Sequence, residues 1–159
     1  KDGTYRLSDG YFGVIIRDEY EKAIGEFVKE IYKDFKVYAY FGVNFVFSEK
    51  LNKDTKVSEI YEKDDTFRSE VTVLVKESEA KEKPIEESLK KIVEKMEEAK
   101  LFGKLKMVVV HDNRFDEVGW SSDTINIDED VVKYGIKYIW VHPISGISEV
   151  ETSGIWRTK

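Results

Sequence analysis

The chain contains no cysteine. That excludes disulfides, thiolate catalysis and any zinc or iron–sulfur centre held by Cys. Histidine is almost absent, with two in 159 residues, so centres that need three or more imidazoles are excluded as well. The His111-Asp112 dipeptide therefore does not bring the chain into the metal-dependent phosphohydrolases that carry a His-Asp pair. No apolar run approaches the roughly 20 residues that a membrane-spanning helix needs. No basic run exceeds two residues, and the net charge is −6 with a pI near 5.1. Phosphate backbones bind clustered Lys and Arg, so nucleic acid is not an expected partner. Glycine-rich phosphate loops and a Gly-x-Ser-x-Gly elbow are missing too.

What is present describes a folding domain. The residues are 41% hydrophobic, 13% aromatic and 36% charged, a globular composition unlike that of disordered chains. A chain this long buries roughly 70% of its unfolded surface, enough for a core without staples. Residues 1–159 read as a single α+β domain, with no repeat and no low-complexity linker. The chain opens Lys1-Asp2-Gly3 rather than with Met, which suggests a processed or trimmed chain. The expected setting is extracytoplasmic: a bacterial exported or lipid-anchored protein.

Hydrophobic periodicity gives the elements. Thr4–Leu7 and Tyr11–Ile16 flank Ser8-Asp9-Gly10, whose Asp-Gly pair suits a hairpin turn. Asp18 is placed to cap a helix to about Asp34, with Tyr20, Ile24, Phe27, Val28 and Ile31 in one stripe. Gly25 within it would permit close approach to a sheet. Lys36–Phe47 alternates as a strand, with Val37, Ala39 and Phe41 on one face and Tyr38 and Tyr40 on the other. A short helix is expected near Val57–Tyr61, then a strand over Phe67–Lys76 and a charged connector to Lys83. Pro84 opens a helix through Ala99, closed by Gly103 at the first non-helical position. Leu105–Val110 is a buried strand, followed by a loop over Asp112–Asp123. A short capped helix from Asp128 to Tyr134 and strands Ile136–His142 and Ile147–Glu151 complete the chain. Strand, helix, strand, strand, helix, strand is the ferredoxin-like order, βαββαβ. It implies an antiparallel sheet with two helices on one face, extended by the N-terminal hairpin and the C-terminal strands.

Polar residues just past a buried strand mark the candidate site: His111, Asp112 and Asp116. His142 ends another apolar run. If those strands were neighbours, two imidazoles and a carboxylate would suit zinc or non-haem iron. The alternative is structural, with His111 hydrogen-bonded at a strand end and Asp112 capping the turn behind it. Asn126-Ile127-Asp128-Glu129-Asp130 opens like a calcium loop, but Val131 and Lys137 stand where Gly and Glu are required. An RNA-recognition reading fails on the expected third strand, Ser69–Val75, which lacks aromatics. Trp120, in a polar loop after Gly119, and the Tyr38/Tyr40 face are candidate binding positions, since exposed aromatics are enriched at interfaces.

The expectation is a non-enzymatic binding or accessory domain that recognises a protein or small ligand through a surface patch or shallow cleft. Its binding residues are Trp120, Tyr38, Tyr40, His111, Asp112, Asp116 and His142, with no catalytic residue, metal or cofactor assigned. One alternative is a small metal-dependent hydrolase centred on His111 and His142. Another is an acidic inhibitor or immunity-type protein that masks a basic partner, with its acids gathered on one face.

Overall fold

A computed structural model describes the backbone of residues 11–41, 50–121, 124–125, 132–142 and 146–151, with side chains for 12–41 and 50–119. The first element is helical rather than extended. Phe12, Ile16, Tyr20, Ile24 and Val28 recur every four residues, and all are buried. They make one stripe on helix α1 (Tyr11–Lys29). The stretch Tyr11–Ile16 is aromatic and β-branched, and read alone it suggested a strand. Burial of its two stripe positions outweighs that local preference. Asp18 consequently lies inside the helix and caps nothing.

Strand β1 (Phe35–Tyr40) follows, then a 3-10 turn (Val57–Glu59) running into α2 (Ile60–Lys63). Strand β2 (Glu70–Lys76) leads into α3 (Glu77–Lys81) and α4 (Ile85–Glu98). Strand β3 (Gly103–Val110) passes to a 3-10 segment (Asp112–Glu117). The chain continues through β4 (Trp120–Ser121), β5 (Thr124–Ile125), β6 (Val132–His142) and β7 (Gly146–Glu151). Residues 42–47 of the expected long strand lie outside the described residues, as do residues 4–10 of the expected hairpin. Residues 128–131 of the expected Asp128–Tyr134 helix lie outside them too, while Val132 to Tyr134 belong to β6.

The result is a mixed α+β fold, and it departs from the ferredoxin-like order. Tyr11–Ile16 supplies no strand, and among the described residues no strand precedes α1, so the βαββαβ order is not shown. The described sheet runs β1-β2-β3-β6-β7, with β4 and β5 paired separately. Strands β2 and β3 are parallel neighbours, and the other pairs in that sheet are antiparallel. The parallel pair requires a crossover, which α3 and α4 supply.

One sheet face is covered by helices. Val71, Val73 and Val75 of β2 and Leu105, Met107 and Val109 of β3 pack with the α1 stripe and with Leu89, Ile92, Val93 and Met96 of α4. Each such side chain contributes about 1.5–3 kcal/mol on burial. Helix α4 ends with its turn closed by hydrogen bonds from Lys100 N–H to Glu97 O and from Leu101 N–H to Met96 O. Lys100 takes the left-handed conformation there (φ 56°). Lys100, not Gly103, is therefore the residue that closes the helix.

Gly103 has a different task. A methyl at its Cα would lie 2.1 Å from Ser69 Oγ and 2.6 Å from Ser69 O. Its hydrogen lets β3 begin directly against the residue preceding β2. Around that contact the Tyr20, Tyr61 and Ser69 hydroxyls share hydrogen bonds of 3.0–3.5 Å. The Phe102 carbonyl accepts from this cluster, lying 3.1 Å from Ser69 Oγ and 3.3 Å from the Tyr20 hydroxyl. Burial pushes the Tyr20 phenol up and the Tyr61 phenol well up, so both stay neutral in the fold. Their contribution is present below the unfolded phenol value and is lost as pH rises through the folded one.

Gly25 does not serve a close approach. A Cβ there would meet only the Phe35 ring, at 3.7 Å, an ordinary contact. Gly25→Ala is expected to raise stability by about 0.5–1 kcal/mol through helix propensity, measured as an increase in the urea midpoint at unchanged m value.

Candidate functional site

The carboxyl ends of parallel β2 and β3 lie side by side, with Lys76 opposite Val110. Crevices at such ends are a usual place for ligand sites in parallel sheets. The next residue of β2's chain, Glu77, meets the next residue of β3's chain, His111, with Nδ1 3.1 Å from Glu77 Oε2. Lys81 engages the other carboxylate oxygen at 3.0 Å. Glu77 is 12% exposed and His111 is 37% exposed. The carboxylate thus orients the ring from below while the imidazole reaches the surface. With a proton on Nδ1 the ring donates to Glu77, which leaves Nε2 as the atom for outside partners.

Asp112 fastens the same junction, since its carboxylate accepts the Ser78 backbone N–H at 3.0 Å. That bond holds the Asp112 carboxyl below its usual range, with smaller opposing effects from burial and from Glu77. A depressed carboxylate stabilises the fold above its unfolded value of about 3.9 and loses that contribution as pH falls through the lower folded value. The Ser78 amide resonance is therefore expected to shift with a midpoint below pH 3.9, and Asp112→Asn to abolish the shift. A midpoint at or above the ordinary value would refute the bond.

From here the chain forms the 3-10 segment, a crown over the sheet face away from the helices. Phe115 turns inward and joins Leu74, Val108, Val110 and Val118 in a second buried cluster, with Tyr38 against it. Lys36 of β1 crosses beneath. Its ammonium donates to the carbonyls of Phe115 (2.7 Å) and Val118 (2.8 Å) and lies 4.9 Å from the Phe115 ring centre. Lys76 approaches the same ring at 5.2 Å and pairs with Asp34 at 3.0 Å. Charge-assisted bonds to carbonyls and cation–π contacts make this a firm anchor. Above it, Asp112, Asn113, Asp116 and Glu117 are exposed, with Arg114 bonded to Glu117 at 2.6 Å.

The candidate residues thus divide. His111, Asp112 and Asp116 lie on the crown. Tyr38 lies beneath it, its hydroxyl donating to Val118 O at 3.3 Å. Burial pushes its phenol up, with the Glu21 charge adding to the effect. Tyr38 is half-buried and supports the crown from below. Trp120 follows the crown directly in the chain, its backbone opposite Ile125. Tyr40, opposite Glu70, lies at the other end of β1.

His142 is not brought to His111. Val141 pairs with Gly103 at the start of β3, whereas Val132 pairs with Val110 at its end. The strand rise puts the two histidine backbones roughly 30 Å apart along β3, far beyond shared coordination of one ion. Among the described residues, no group of three His, Asp or Glu side chains is set to hold a metal.

Glu77 and Lys36 were missed by the sequence reading. Lys76–Lys83 read as a solvated connector, and Lys36 as the start of a strand. The available signal was that Glu77 and His111 each follow a strongly apolar strand. If those strands are parallel neighbours, the two residues must meet. Compared with protein-family models, curated proteins and solved structures, the chain matches none.

Proposed function

We propose that this protein is a non-enzymatic binding domain whose recognition surface is the crown His111–Glu117. The observation that supports it is the Lys36 anchor, which holds the Phe115 carbonyl within this polar segment and the Val118 carbonyl just past it. Surface loops positioned by a rigid scaffold commonly carry recognition, and a pre-ordered loop loses less entropy on binding. The exposed carboxylates of Asp112, Asp116 and Glu117 favour a partner that presents cationic groups, in line with the net charge of −6. The reading that joins His111 and His142 in a metal-dependent hydrolase has no support in the strand register.

The test uses the immobilised full chain and an extract of the source cells. Wild type is compared with the Asn113→Ala/Asp116→Ala/Glu117→Ala variant, after amide spectra establish that the two share a fold. A protein retained by wild type, released by salt and lost by the variant supports the proposal. A partner held equally by both, or one whose contacts map to α1 or α4, overturns it.

A further inference from the structure

Strand β1 ends the described sheet, and its sequence is a hazard in that position. Phe35-Lys36-Val37-Tyr38-Ala39-Tyr40 is aromatic and β-branched, has no Pro or Gly and carries one charge. Such edges are templates for pairing with another strand unless a charge, a bulge or a proline blunts them. The single charge, Lys36, is not available for this, because its ammonium is held by the crown carbonyls on the opposite face.

Another group occupies the edge. The Ala39 backbone N–H donates to Glu21 Oε1 at 2.8 Å, so it is not part of the ladder with β2. Residues opposite one another in an antiparallel pair alternate between bonded and non-bonded positions. Ala39, and with it Val37, therefore turns its main-chain groups outward. Glu21 projects from α1, one residue after buried Tyr20, and its position is fixed by the helix packing. An incoming strand would have to break the Ala39 bond and leave a carboxylate buried against it, which is costly.

We propose that Glu21 guards the β1 edge against strand pairing with β1 of a second copy of this chain. Two copies related by a twofold axis would present the same strand antiparallel to itself, the self-complementary arrangement of an isologous dimer. The guard thereby keeps the chain monomeric and the sheet discontinuous between copies.

The test is sedimentation velocity across a hundredfold range of concentration, together with amide exchange at Val37 and Ala39. Wild type is expected to remain monomeric, with the Ala39 amide protected and the Val37 amide fast. Glu21→Ala is expected to associate at least tenfold more tightly, with both amides fast when dilute and protected when concentrated. Glu21→Gln retains an acceptor and is expected to keep the Ala39 amide protected, which separates the guard from general destabilisation. A fast Ala39 amide in wild type overturns the proposal. A folded Glu21→Ala variant that stays monomeric throughout, or dimers that leave both amides fast, overturns it equally.

Discussion

Gly103→Ala is expected to destabilise the protein by about 3 kcal/mol or more, among the largest effects of any single methyl added to the fold. The added carbon would lie 2.1 Å from Ser69 Oγ and 2.6 Å from Ser69 O. The hydroxyl has some freedom to rotate, but the carbonyl does not. Ser69 O accepts the Lys104 N–H at 2.8 Å, so moving it separates β2 from β3 where their parallel pairing begins. Displacing the hydroxyl also removes the Ser69 partner of Tyr20 and Tyr61, and a lost hydrogen bond costs about 0.5–1.5 kcal/mol. Urea unfolding measures the loss, and Ser69→Gly combined with Gly103→Ala separates its two causes. The carbonyl clash persists in the double variant, so no full rescue is expected. A loss below about 1 kcal/mol in Gly103→Ala would show that the two strands do not approach as described.

Lys36→Met is expected to release the crown while leaving the core intact. Methionine has similar reach and apolar bulk but donates no hydrogen bond. The Phe115 and Val118 carbonyls lose their donor, and the Phe115 ring loses its nearer cation. Hydrogen bonds to charged groups contribute about 1.5–3 kcal/mol. Lys36 is half-buried and water replaces part of what is lost, so a net cost of about 2 kcal/mol is expected. The readout is local. Arg114 N–H, bonded to His111 O at 2.9 Å, should exchange about thirtyfold faster, the equivalent of that cost in a local opening equilibrium. The amide chemical shifts of β2 and β3 away from the crown should stay as in wild type. Shift changes spread through β2 and β3 would mean that Lys36 supports the whole fold and not the crown.

The parts of this fold legible from sequence were those in which periodicity and burial agree. In the Pro84–Ala99 helix, apolar residues recur at helical spacing: Leu89, Ile92, Val93 and Met96 are buried, and Ile85 and Ala99 partly so. Alternation along β1 correctly separated Val37 and Ala39 from Tyr38, which packs on the other face. The failures share a physical cause, because local preference yields to contacts made far away in sequence. Tyr11–Ile16 has strand composition, but Phe12 and Ile16 extend the α1 stripe, and Phe12 meets the Phe67 ring edge-on at 6.3 Å. Gly103 resembled a helix terminator because the left-handed position was filled by Lys100, a residue not chosen for that role.

The candidate site was half legible for the same reason. A buried strand ending in His111-Asp112 signalled a junction from the sequence itself. Its partners Glu77 and Ser78 lie 34 residues away, and Lys36 lies 79 residues from Phe115. Only strand order brings them together, and one sequence does not specify strand order. The pairing of His111 with His142 failed on that point. Both strands were recognised and are antiparallel neighbours, but their register places the two residues at opposite ends of β3.

The central claim is that the crown is a rigid surface built by the Lys36 anchor. Backbone amide relaxation of the wild-type protein across residues 112–118 tests it most directly. An anchored segment predicts order parameters near 0.85, as in a rigid backbone, throughout that stretch. Values below about 0.6 from Asn113 to Glu117 would describe a flexible loop and would contradict the account.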